Sequence, residues 1–142
     1  MLDKARLKKL ADYFKNQPVD LVYLFGSQAT GKNTKLSDID IAVLFKDSIS
    51  KSRRFDLRCR FISDLMGVLK TEKVEVVDLS QAHLSFAYSI IFPNKTVLVK
   101  NESKMVNLEK RIIKQYLDIQ PYLHRIHFRQ LELMAQEGFK NE

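Results

Sequence analysis

Asp38 and Asp40 are the residues of this sequence best suited to chemistry. They stand two apart in DIDIAVLF, residues 38–45, a stretch that reads as a strand. Side chains at i and i+2 of a strand point to the same face, so the two carboxylates converge. Strands disfavour aspartate, yet these two sit among Ile39, Ile41, Ala42, Val43 and Leu44. Like charges held close together and partly out of water repel, which favours a bound proton. A divalent cation relieves the repulsion directly, and Mg²⁺ is held by one or two carboxylates with phosphate oxygens and water. Gly26 and Ser27 end the apolar run just before, DLVYLF at 20–25. Glycine lets a backbone approach a ligand closely. The Ser27 hydroxyl and local N–H groups suit phosphate oxygens. Lys32 lies farther along the same loop and offers a charge to phosphate, or is simply a solvated lysine. Gly-Ser and Asp-x-Asp are each common, and it is their conjunction between two strands that points to metal-assisted phosphate chemistry.

The flanking pattern supplies the elements that would position these groups. Residues 3–16 read as a helix with Asp3 as N-cap and Leu7, Leu10, Ala11 and Phe14 on one face, stopped by Pro18. The near-continuous apolar character of 20–25 implies a strand covered on both faces. GSQATGKNTKLS, 26–37, reads as a polar loop. Residues 51–70 read as an amphipathic helix with Phe55, Cys59, Ile62, Met66 and Leu69 inward, so Cys59 is expected in the core. KVEVVDL, 73–79, is a third strand, 81–92 a short helix, and KTVLVK, 95–100, a fourth strand after a turn at Pro93-Asn94. Phe86, Tyr88 and Phe92 follow helical spacing and read as core or interface residues rather than a base-stacking surface. From about Ser103 to Glu137 the pattern is helical, with a kink or a junction of two helices expected at Pro121. Alternating strands and helices predict an α/β fold, about four strands flanked by helices. The expected division is a core over 1–102 and a C-terminal helical extension over 103–142, packed as a single domain.

Bulk properties agree with one folded domain. The chain has 142 residues, 45% hydrophobic and 29% charged. Its net charge of +7 suits an anionic partner, or simply a solubilising surface. One cysteine excludes an internal disulfide and fits a reducing compartment, with the cytoplasm as the expected location. No apolar run is long enough to cross a membrane.

LFGSQATGKNTKLSDIDIAVL resembles the signature of the DNA polymerase beta-like nucleotidyltransferase superfamily: Gly-Ser, ten residues, Asp-x-Asp. The small size resembles its minimal nucleotidyltransferase (MNT) branch. KVEVVDLSQAHLSFAYSIIFPNKTVLVKNE is similar to the following segment of MntA-type antitoxins, which pair with HepT, a toxin of HEPN ribonuclease fold. The resemblance runs from about Leu21 to Glu102. It implies a mixed sheet of nucleotidyltransferase fold, ATP as substrate, two Mg²⁺ ions, and transfer of AMP to a tyrosine of a toxin on a separate chain. It also implies a third acid on a neighbouring strand, usually aspartate. Here Glu75 stands at that position, with Asp78 as the competitor. Strand parity separates the two, so only one can join Asp38 and Asp40.

Other features yield less. His83, His124 and His127 have no zinc-site spacing. The HEPN signature, Arg followed after four to six residues by His, is absent. Ile112, Ile113, Tyr116, Leu117, Ile119, Leu123, Ile126, Leu131 and Met134 give the tail a broad apolar face, part for the sheet and part free for a partner or a second copy. The competing readings are a non-catalytic module that neutralises a toxin by contact, and an enzyme acting on a small hydroxylated molecule such as an aminoglycoside. Direct nucleic-acid binding has no motif behind it.

Overall fold

The computed structural model describes residues 2–31, 38–92 and 95–140. Lys32 and the Pro93-Asn94 turn lie outside the described residues. The first helix, α1 (Lys4–Phe14), starts where the Asp3 side chain accepts from the Arg6 N–H. Strand β1 (Val19–Phe25) follows, then one helical turn, α2 (Ser27–Thr30), where the sequence suggested only loop. Strand β2 (Ile39–Phe45) leads into α3 (Lys51–Leu69), which is capped by Ser50. Next come β3 (Val74–Asp78), a 3₁₀ turn (Leu79–Gln81), α4 (Leu84–Ile91), β4 (Lys95–Val99) and α5 (Glu102–Lys140). Among the described residues, no helix is long and apolar enough to cross a membrane.

The four strands form one mixed sheet in the order β3-β2-β1-β4. β1 runs antiparallel to β2 and β4, and β2 runs parallel to β3. A parallel pair needs a crossover of a dozen or more residues, and α3 is that crossover. Alternation along the strands divides the core into two layers. Val22, Leu24, Ile39, Ile41, Val43 and Phe45 face α1 and α3. Leu21, Tyr23, Phe25, Ala42 and Leu44 face α4 and the first turns of α5. The cover on both faces expected for 20–25 is present.

α3 corrects one expectation. It buries Leu57, Phe61, Leu65 and Leu69, whereas the stripe read from sequence was Phe55, Cys59, Ile62, Met66 and Leu69. Phe55 is 61% exposed, and Cys59 is exposed and not in the core. The helix carries two overlapping apolar stripes, and its own periodicity does not choose between them. The choice is tertiary. Phe61 docks edge-on to Phe14 with centroids 5.3 Å apart and stacks on Phe45 at 5.9 Å. Ile62 and Met66 pack at the flank of this cluster.

α5 is a single helix running through Pro121, not two helices meeting there. Pro121 removes one donor, but it and Leu117, four residues earlier, are exposed, so water can satisfy the orphaned carbonyl. Its first turns are tied down. Leu108 and Ile112 are buried against the sheet. The wholly buried Tyr23 donates its hydroxyl to Glu109 Oε1 at 2.7 Å. Lys104 Nζ donates to Asp20 Oδ2 at 2.7 Å and Asp47 Oδ1 at 2.9 Å. Tyr88 of α4 stacks on Tyr116 at 3.9 Å. Phe86 and Phe92, read from sequence as core or interface, remain exposed.

The two stripes of α3 make a direct test. Phe61→Ala should cost about 3–5 kcal/mol of stability, as for other buried aromatic truncations. Phe55→Ala should stay within about 0.5 kcal/mol of the parent. Urea unfolding followed by circular dichroism measures both, and equal losses would contradict the assignment of faces.

Candidate active site

Strand pairing assembles the acidic site. Asp40 is the register partner of Glu75 across the parallel β2–β3 pair, so their side chains point to the same face. Asp38 immediately precedes β2 and shares the parity of Asp40. The result is one cluster in which Asp38, Asp40 and Glu75 each offer a carboxylate oxygen within 4.8 Å of the others. Asp78 has the opposite parity and is buried. Its Oδ1 accepts from Ser80 N at 3.1 Å and Ser80 Oγ at 2.7 Å, which caps the 3₁₀ turn. Of the two candidates for the third acid, Glu75 meets Asp38 and Asp40, and Asp78 is a strand-end cap.

The Gly-Ser turn abuts the carboxylates on the other side. Phe25 is the register partner of Asp40 in the antiparallel β1–β2 pair, and Gly26 and Ser27 come next in the chain. Gly26 adopts φ 72° and ψ −153°, a conformation that L side chains rarely reach. A Cβ on Gly26 would lie 2.5 Å from Asp40 Oδ2. Two independent constraints therefore require glycine here: the backbone angle and the contact with a carboxylate. Ser27 begins α2 beside this contact. Lys32, the third residue expected to meet phosphate, lies outside the described residues.

Asp40 is the electrostatic centre of the cluster. Burial raises its pKa first, and the negative charges of Glu75 and Asp38 raise it further. Asp38 and Glu75 are exposed, so the cluster opens to solvent. Hard oxygen donors, mutual repulsion and a half-buried central acid fit a divalent cation such as Mg²⁺. The carboxylates share the sheet face covered by α4 and α5, where the exposed Phe86 packs on Phe25, the strand partner of Asp40. Sequence periodicity does not reveal this neighbour, because the packing of α4 on the sheet is a tertiary matter.

The sequence and the fold are similar to those of known proteins. The family model described as "Polymerase beta, Nucleotidyltransferase" matches residues 8–103. Protein adenylyltransferase MntA of Shewanella oneidensis is 34% identical over 77 residues. That match covers 54% of this chain and 52% of MntA, about half of each. A solved structure described as a toxin–antitoxin with AMP-PNP has a similar chain, with a TM-score of 0.71 at 24% identity. The likeness covers 88% of this chain and 98% of that one. A second solved structure, a tri-AMPylated HEPN toxin of Shewanella oneidensis in complex with MNT antitoxin, gives a TM-score of 0.67 at 22% identity. It covers 92% of this chain and 99% of that one. At these identities the two structural likenesses concern the fold.

Two outcomes follow from the electrostatics and the glycine. A carboxyl whose pKa is raised by folding costs stability once ionised, and the cost fades as pH falls through the raised folded pKa towards the ordinary carboxylate value. Without divalent cation, Asp40→Asn should therefore melt at a higher temperature than the parent at pH 7.5, and the gap should close in mildly acidic buffer. Added Mg²⁺ should raise the melting temperature of the parent and leave that of Asp40→Asn nearly unmoved. Differential scanning calorimetry across pH, with and without Mg²⁺, checks each arm. Gly26→Ala should cost about 1–3 kcal/mol from backbone strain, and should weaken the Mg²⁺ response by displacing Asp40.

Proposed function

Because the chain belongs to the polymerase beta nucleotidyltransferase family, we propose that it transfers AMP from ATP to a tyrosine hydroxyl of a separate HEPN ribonuclease and silences that toxin. The observation that carries the reading is the meeting of Asp38, Asp40 and Glu75 beside the Gly26-Ser27 turn. The adenylyltransferase name of the 34% identical relative supports AMP as the group moved. The AMPylated toxin bound to an MNT antitoxin, a chain of the same fold, supports the acceptor.

In this reading Asp38, Asp40 and Glu75 hold the cation, and Gly26-Ser27 lies along the triphosphate. Bound Mg²⁺, as two ions in this scheme, supplies charge neutralisation of the triphosphate and acidification of the acceptor hydroxyl. The missing Cβ of Gly26 leaves room for the Asp40 carboxylate directly beside the turn. The acceptor oxygen forms a bond to the α-phosphorus as the bond from that phosphorus to the bridging oxygen breaks. Pyrophosphate departs with the bond electrons. Glu75, exposed to solvent, takes the acceptor proton and passes it to water.

Asp38→Asn and Asp40→Asn should each lower AMP transfer at least about 100-fold, since a lost metal-holding charge outweighs one lost hydrogen-bond donor. The fold, by circular dichroism, should be retained. The assay is intact-mass spectrometry of a HEPN toxin after incubation with the chain, ATP and Mg²⁺. Wild-type transfer rates in either variant would remove the carboxylates from the mechanism. A tight complex with the parent chain and no added AMP would favour neutralisation by contact.

A further inference from the structure

The sheet face that carries the carboxylates is bordered by an exposed aromatic ring. Phe25, the strand partner of Asp40, is 8% exposed, and Phe86 of α4 lies against it. The two rings meet edge to face, with centroids 5.9 Å apart and planes at 78°. Phe86 itself remains 42% exposed. In an edge-to-face pair each ring keeps at least one face clear of the other. The other aromatics of this segment are differently engaged. Tyr88 is stacked on Tyr116, and Phe92 leans on Tyr88 with no ring contact to Phe25.

Neighbouring strands lie about 5 Å apart, so the Phe86 ring stands on the order of 10 Å from the carboxylates. A nucleoside attached to a phosphate at Gly26-Ser27 spans that interval. We propose that Phe86 is the platform on which the nucleotide base stacks, and so the residue by which this site prefers a nucleoside triphosphate to bare triphosphate. This rests on the nucleotidyltransferase reading above. Stacking needs only a flat apolar face, so it would operate without any hydrogen-bond donor aimed at the base edge. It also gives a use to a large exposed ring in a helix where Ala87, Ile90 and Ile91 are buried and Leu84 is half-buried.

Isothermal titration of the full chain with a non-hydrolysable ATP analogue and with inorganic triphosphate, each with Mg²⁺, tests the proposal. Phe86→Leu keeps an apolar cover over Phe25 but removes the aromatic face, and Phe86→Tyr keeps the face. Phe86→Leu should weaken the ATP analogue about tenfold and leave triphosphate within about twofold. Phe86→Tyr should bind both ligands like the parent. Unchanged affinity of Phe86→Leu for the analogue would overturn the proposal. So would equal losses for both ligands, which would mean the ring acts by supporting Phe25. If the parent bound neither ligand, the nucleotidyltransferase reading itself would fall, an outcome distinguishable from the other two.

Discussion

Everything at the acidic site depends on the parallel pairing of β2 with β3. In that register Asp40 and Glu75 face the same way from adjacent strands, a juxtaposition that costs energy while both are charged. The fold holds it because the strands are secured elsewhere. Ile41 and Val43 of β2, with Val76 of β3, are buried under α3 on the opposite face. Apolar burial at about 25 cal/mol per Å² fixes the register, and the carboxylates ride on it. Repulsion concentrated in this way is a common mark of a functional site, where local consistency yields to chemistry. Gly26 relieves the crowding from the β1 side, since its bare Cα is what leaves Asp40 Oδ2 its space.

The opposite end of the sheet is organised by attraction. Lys104 bridges Asp20, near the start of β1, and Asp47, just beyond the end of β2. Its pKa is raised despite burial, because the two carboxylates hold the proton. Glu109 is held by Tyr23, whose own ionisation is suppressed chiefly by burial. These contacts commit the first turns of α5 to the core. Beyond Tyr116 the apolar residues leave the domain: Leu123, Ile126 and Met134 are all exposed. A 39-residue helix is about 58 Å long, more than this four-stranded sheet can cover.

The strands were legible because their signal is local. A period of two and unbroken apolar runs locate β1, β2 and β3 to within a residue or two. The convergence of Asp38 with Asp40 follows from the same period. Helix faces were harder to read. α3 carries two overlapping apolar stripes, so spacing alone points to Phe55 and Cys59 where the sheet selects Leu57 and Phe61. The single turn α2 is not legible in the sequence because four residues carry no periodicity. Pro121 does not end α5, since a proline on an exposed helix face forfeits a hydrogen bond that water replaces. The contact of Phe86 with Phe25 joins residues 61 apart, and nothing local encodes it.

Parity also explains why the third acid of this cluster can come only from one of two nearby positions. Val74, Val76 and Asp78 point towards the α3 side of β3, where a carboxylate must find donors or stay neutral. Asp78 finds them in Ser80, whose hydroxyl is in turn held by Arg54 Nη1 at 3.0 Å. It is thereby spent on joining β3 to the turn that follows. Glu75 faces the other way, at the exposed end of the sheet beside Asp40. Its extra methylene, compared with aspartate, does not prevent an oxygen from lying within 4.8 Å of both Asp38 and Asp40. The longer side chain therefore changes the route to the cluster and not membership of it. What decides membership is which face of β3 the residue occupies, and that is settled by burial of valines on the other side.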